Sequence, residues 1–127
     1  MPVLGWDHLH LRSADPDAAG AFYVEALGAE PVDRRVTGGT VRVALRLGGT
    51  LLFLETVPAE TPLPPEPPFR GMEHIGLAVT GLDTLVERAV ARGARVATPP
   101  NTVKPGIRVA FLEAPDRVRV ELIERDG

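Results

Sequence analysis

The sequence predicts an α+β fold of two tandem βαβββ modules, and two observations carry that prediction: an internal repeat and the order of elements within each copy. Val41-Arg42-Val43-Ala44 and Ile107-Arg108-Val109-Ala110 are near-copies separated by 66 residues. The same offset carries His8 onto His74, Asp17 onto Asp83 and Glu55 onto Glu121. Gly28 and Gly93 are 65 residues apart, so one residue drops out near the helix ends. The expected organisation is one domain, with a first module over 1–56, a proline-rich linker over 57–71 and a second module over 72–127.

Residues 6–12 alternate, with Leu9 and Leu11 on one side and Trp6, His8 and His10 on the other, which is the period of a strand. Asp15-Pro16 supplies an N-cap and a first-turn proline, and the helix it starts runs to Leu27 before Gly28 stops it. The second copy follows the same plan. A strand over Glu73–Val79 leads to Thr80-Gly81-Leu82-Asp83, which reads as a capping box with Asp in place of Glu, and the helix ends at Gly93. Strands follow each helix, over Glu30–Arg35, Val41–Leu47 and Thr50–Thr56 in the first copy. Their counterparts are Arg95–Thr98, Ile107–Glu113 and Val118–Ile123, with Gly-Gly, Pro-Gly and Pro-Asp turns between strands. The linker holds Pro58, Pro62, Pro64, Pro65, Pro67 and Pro68, a density that favours extended structure. It reads as a stiff connector or as a flap over a site.

Composition removes several function classes. The chain has 127 residues and a net charge of −3, without the clustered cations of a nucleic-acid binder. No apolar run approaches the roughly 20 residues of a membrane helix. The start, MPVLGWDHLHLRS, lacks the pattern of a secretory signal, so a cytoplasmic location is expected. There is no cysteine, so any metal site must be built from His, Asp and Glu.

Strand parity sorts the remaining candidates by face. Val41, Val43, Leu45 and Leu47 form one apolar set, and so do Val118, Val120 and Leu122; these are expected to cover the helices. The opposite face collects His8, His10, Glu55, His74 and Glu121 with Trp6, Phe53 and Met72. Arg12, Arg42, Arg46, Arg108 and Arg119 are assigned to that same face as binders of an anionic group. His8, Glu55, His74 and Glu121 form a candidate site for one divalent ion, because imidazole and carboxylate suit Ni, Zn, Co, Mn or Fe. A surface role for each histidine, or a simple ion pair of Glu121 with Arg119 or Arg108, is the alternative. His10, whose counterpart is Gly76, reads as a cavity residue beside the site.

DHLHLRSADPDAAGAFYVEALG, EHIGLAV before a helix, and APDRVRVELIE at the end resemble the vicinal oxygen chelate superfamily. That superfamily holds glyoxalase I, methylmalonyl-CoA epimerase, extradiol dioxygenases and the bleomycin- and fosfomycin-resistance proteins. The resemblance implies modules that form a half-barrel cleft, one metal held by His8, Glu55, His74 and Glu121, and a homodimer. It also implies lyase, isomerase or epimerase chemistry on a small anionic substrate through a stabilised enolate, with Glu121 and then Glu55 as candidates to shuttle the proton. Arg12 matches an arginine near the first histidine of glyoxalase I. Thr56-Val57-Pro58-Ala59 and Arg117, where the family turn has glycine, depart from it. Two other functions compete. A ring-cleaving Fe(II) dioxygenase would need only His8, His74 and Glu121, with His10 as proton donor, and a non-catalytic small-molecule binder would use Trp6, Phe53 and Met72 as a platform.

Overall fold

The structure, a computed structural model, describes residues 2–126. The chain divides into two compact units, one up to Thr61 and one from Pro62. The first holds β1 (His8–Ser13), α1 (Pro16–Leu27), β2 (Glu30–Thr37), β3 (Thr40–Leu47) and β4 (Thr50–Thr56). The second holds β5 (Ile75–Ala78), α2 (Leu82–Ala91), β6 (Arg95–Lys104), β7 (Ile107–Ala114) and β8 (Val118–Arg125). Each unit is a four-stranded mixed sheet, ordered β1-β4-β3-β2 and β5-β8-β7-β6, in which the first strand runs parallel to the last. The expected α+β fold of two βαβββ modules is what the chain adopts. Among the described residues, no helix is long and apolar enough to cross a membrane.

One helix covers one face of each sheet. The buried positions of α1, Ala19, Phe22, Tyr23 and Ala26, recur at helical spacing and meet Val43, Leu45, Leu52 and Leu54 of the sheet. In the second unit Leu82, Val86 and Ala89 of α2 belong to the core with Ala110, Leu112, Val120 and Leu122. A fully buried leucine contributes about 2 kcal/mol, so these rows fix which face of each sheet stays open. Gly20 lets α1 approach closely, since a Cβ there would meet Val43 Cγ1 at 3.2 Å.

The two helices start differently. Asp15 caps α1 by accepting from the Ala18 amide at 3.1 Å, and Pro16 follows it. Thr80-Gly81-Leu82-Asp83 does not form the expected capping box, because Gly81 sits at φ 68°, in the left-handed region. The cap comes instead from β8, where Glu124 accepts from the Gly81 amide at 2.6 Å. That places a carboxylate at the positive end of the helix, where it is favoured.

Other differences lie at strand ends. The first strand begins at His8 rather than Trp6, and β6 runs through Pro99 and Pro100 to Lys104. It is an edge strand with shifts in register, which tolerates residues lacking an amide hydrogen. The unit boundary falls within the proline-rich stretch. Arg117 donates to the Pro64 carbonyl at 3.1 Å, so this stretch is tied to the β7–β8 turn. That turn holds Asp116 and Arg117 at φ 62° and 59°, a conformation glycine adopts more cheaply.

Candidate metal and substrate site

The open face of the second sheet brings together the residues best suited to bind a metal. His74 stands just ahead of β5, and Gly76, two residues on, pairs with Glu121 of β8. Gly76 has no side chain to shield that carboxylate; a Cβ there would lie 3.6 Å from Glu121 Oε1. The His74 Nε2 to Glu121 Oε1 distance is 3.2 Å. Two donors each about 2.1 Å from one ion sit about 3–3.5 Å apart, so the pair has a suitable bite.

Glu73 pairs with Nδ1 of His74 on the other side of the ring. Its second oxygen faces Arg119 Nε at 3.0 Å. The hydrogen bond to His74, helped by the Arg119 charge, holds the Glu73 carboxyl below the usual carboxylate range. A carboxylate on Nδ1 fixes the tautomer that leaves Nε2 free to coordinate. Phe111 packs edge-on against the imidazole, with ring centres 5.0 Å apart.

The first sheet repeats part of this arrangement. His8 also has the preceding carboxylate on its Nδ1, from Asp7 at 2.6 Å, and its ring lies 4.7 Å from that of Phe53. Asp7 is 90% exposed and Glu73 44%, so the first dyad is the more loosely held. Glu55 lies elsewhere. It pairs with Arg12, four residues beyond His8, whereas Phe53 pairs with His10, two residues beyond. The nearest ionic groups to Glu55 are His10 Nε2 and Arg42 Nε, each at 3.9 Å.

This register separates two equivalences that the sequence offset merges. If His8 is matched to His74, the partner of Glu121 in the first sheet is Phe53. If Glu55 is matched to Glu121, the partner of His74 is His10. The shared carboxylate on Nδ1 and the shared seven-residue spacing from histidine to helix cap favour the first match. Roughly 13 Å of strand then separates His8 from the row of Glu55, too far for both side chains to converge on one ion within that sheet.

The VRVA and IRVA segments are also not equivalent in the sheets. Arg42 pairs with Glu55, but Phe111, not Arg108, pairs with Glu121. Under the His8–His74 match Phe111 corresponds to Ala44, which pairs with Phe53, so the third strand of the second unit is displaced by one residue from the VRVA–IRVA alignment, and an odd displacement turns a strand over. Arg108 consequently leaves the site face. It makes a bidentate pair with Asp83 of α2, at 2.8 and 3.0 Å. Its counterpart on the helix side of the first unit is Arg34, bidentate to Asp17.

The remaining candidates are placed individually. Arg12, Arg42 and Arg46 share the face of His8, His10 and Phe53, and Arg119 shares that of Glu121. Arg46 is exposed and donates to the Gly49 carbonyl at 3.5 Å. Trp6 and Met72 lie outside the strands and are 87% and 61% exposed, so neither is built into the sheet face. Among the described residues, neither unit by itself gathers three His, Asp or Glu side chains into a ligand cluster. Sequence reasoning missed Asp7 and Glu73, although each directly precedes its histidine.

Comparison with known proteins identifies the family and the fold. The profile described as "Glyoxalase/Bleomycin resistance protein/Dioxygenase superfamily" matches residues 5–122. A glyoxalase/bleomycin resistance protein/dioxygenase domain from Frankia is similar in structure, with a TM-score of 0.80 and 24% identity over 98% of this chain and 100% of that one. A glyoxalase family protein from Bacillus cereus has a TM-score of 0.85 at 16% identity, covering 100% and 97%. A fosfomycin resistance protein from Listeria monocytogenes, solved with Mn(II) and 1S,2S-dihydroxypropylphosphonic acid, has a TM-score of 0.76 at 19% identity, covering 99% and 94%. In sequence, a probable chloroplastic lactoylglutathione lyase from Arabidopsis thaliana is 43% identical over 56 residues, which is 43% of this chain and 16% of that protein. The chain thus matches only a small part of that relative's length. With a match over nearly its whole length and the two-module fold to go with it, the chain belongs to the glyoxalase/bleomycin resistance protein/dioxygenase superfamily.

Proposed function

We propose that this protein is a metal-dependent lyase or isomerase acting on a small anionic substrate, with His8, His74 and Glu121 as its donors to one divalent ion. The observation that carries this reading is the His74–Glu121 pair, 3.2 Å apart with the far side of the imidazole held by Glu73. The ion, one of Ni, Zn, Co, Mn or Fe, supplies Lewis acidity that favours loss of a proton from carbon beside a substrate oxygen.

The chain's own groups do the rest. Glu121 is engaged with His74, so the proton-moving role falls to Glu55, which the register sets apart from the donors. Its carboxylate can accept a proton from a substrate carbon and return it to a neighbouring one. His10 and Arg42, each 3.9 Å away, flank it and hold it in place. A three-donor set also fits a ring-cleaving Fe(II) dioxygenase with His10 as proton donor, which is the second reading. A homodimer is proposed with either.

Metal analysis of the purified protein, with parallel assays for lactoylglutathione formation and O₂ consumption, tests the proposal. Stoichiometric metal that is lost in His74→Ala, without O₂ uptake, agrees with the lyase or isomerase. Iron with O₂ uptake selects the dioxygenase. Failure to bind any of the five metals after reconstitution refutes both and leaves a non-catalytic binder.

A further inference from the structure

We propose that Arg42 and Phe53 form an oxyanion subsite on the open face of the first sheet, for a carboxylate or phosphonate borne on a small flat apolar group. The inference rests on the reading above only in taking this face as the substrate side. A cavity of about 210 Å³ opens there, walled by Val32, Ala44 and Phe53 and rimmed by Asp33, Arg35 and Arg42.

The charges in this cavity are not equally well paired. Asp33 and Arg35 neutralise each other across 2.8 Å. Arg42 has a looser neighbour, Glu55. Its guanidinium carbon lies 4.0 Å from the centre of the Phe53 ring, and its Nε is buried without a hydrogen-bond acceptor. Glu55, at 3.9 Å, is near enough to orient it and beyond hydrogen-bonding reach. A buried donor without an acceptor is costly, and an incoming oxyanion removes that cost.

The other arginines show what a satisfied partner looks like. Arg34 and Arg108 are bidentate to aspartates, and Arg119 Nε, although like Arg42 Nε it makes no aligned hydrogen bond, has a Glu73 oxygen at 3.0 Å. Arg119 is also farther from its ring, 5.3 Å from the centre of Phe111. Arg42 therefore differs from Arg119 in lying closer to its ring and in having its carboxylate neighbour 3.9 Å away rather than 3.0 Å. The stacked ring fixes the guanidinium plane in advance, so little freedom is lost when an anion binds.

Size sharpens the ligand class. A volume of 210 Å³ is about seven waters at ~30 Å³ each. That is below the roughly 300–1,000 Å³ of pockets that enclose drug-sized ligands. The subsite holds an acid group and a ring or short chain, and the apolar walls reward the flat body.

The test uses the metal-free protein, so its outcome is independent of the metal reading. Phenylphosphonate and benzoate are titrated in, with benzyl alcohol as neutral control, while the Arg42 Nε–H resonance is followed by NMR. The expected result is a Kd below about 1 mM for at least one acid, a shifted Arg42 resonance, and benzyl alcohol at least about tenfold weaker. The tighter acid names the oxyanion. Arg42→Gln should weaken acid binding by about tenfold or more, and Arg42→Lys by less, because it keeps the charge but loses the flat fork. Equal binding of benzyl alcohol, an unmoved Arg42 resonance, or no binding of either acid overturns the subsite. Should Arg42→Gln fail to fold, the wild-type resonance decides alone.

Discussion

The two units are copies of one plan that have drifted apart on their open faces, and the drift is more informative than the likeness. In the second unit, histidine and glutamate stand two residues apart in register, with Gly76 leaving the carboxylate clear. In the first, Phe53 fills that row beside His10, and the glutamate is one row farther along, among Arg12, Arg42 and His10. The helix faces stayed alike, each with leucines in the core and an Arg–Asp clasp. Burial constrains the core of both copies equally, whereas the open faces were free to specialise. One became a close histidine–glutamate pair. The other became a carboxylate flanked by an imidazole and a guanidinium.

The largest expected effect breaks that division of labour. Glu55→Gln should lower turnover by about 10²–10⁴-fold, the range for losing a general base, while bound metal stays stoichiometric in elemental analysis. A variant that kept full activity would remove Glu55 from the chemistry. Next come the shared cores. Leu54→Ala and Leu122→Ala, each at a site no more than 1% exposed, should each cost about 3 kcal/mol in urea unfolding. A large inequality would mean that one unit depends less on its helix-side packing than the other.

The carboxylates on Nδ1 offer a finer comparison. Glu73→Gln should weaken metal affinity by about 10–100-fold in chelator competition, as for other outer-sphere partners. Asp7→Asn should have a smaller effect, since Asp7 is 90% exposed and, among the described residues, no arginine is paired with it. The reverse ranking would count against the tighter second dyad.

The smallest effect concerns acid. The carboxyls of Asp17 and Asp83 are held below their ordinary value by hydrogen bonds from Arg34 and Arg108. A lowered native pKa adds stability that is present above the unfolded value, near 3.8, and lost as pH falls through the folded one. The thermal unfolding temperature should therefore fall below about pH 4, and Asp17→Asn with Asp83→Asn should flatten that dependence. An unchanged pH profile in the double variant would show that neither clasp contributes.

Much of this was legible in the sequence. Alternation, the Asp15-Pro16 start and the glycine stops sufficed for the element order, because each reflects a local rule. His74 and Glu121 were legible as well. What could not be read was register. The repeat aligned VRVA with IRVA almost letter for letter, yet a one-residue displacement in the sheet sends Arg42 to the open face and Arg108 to the helix. Pairing between strands depends on turn geometry and packing at both ends, and a single copy of the chain carries no direct mark of it. The Glu124 cap on α2 escaped for a similar reason, since its donor and acceptor lie 43 residues apart.

The central claim is that the two glutamates differ in kind, and metal affinity in Glu121→Ala and Glu55→Ala, measured side by side, tests it most directly. The account predicts that Glu121→Ala loses its metal by more than the roughly 10–100-fold of an outer-sphere change, and that Glu55→Ala binds as tightly as wild type. Equal loss in both would contradict it and restore a four-ligand centre.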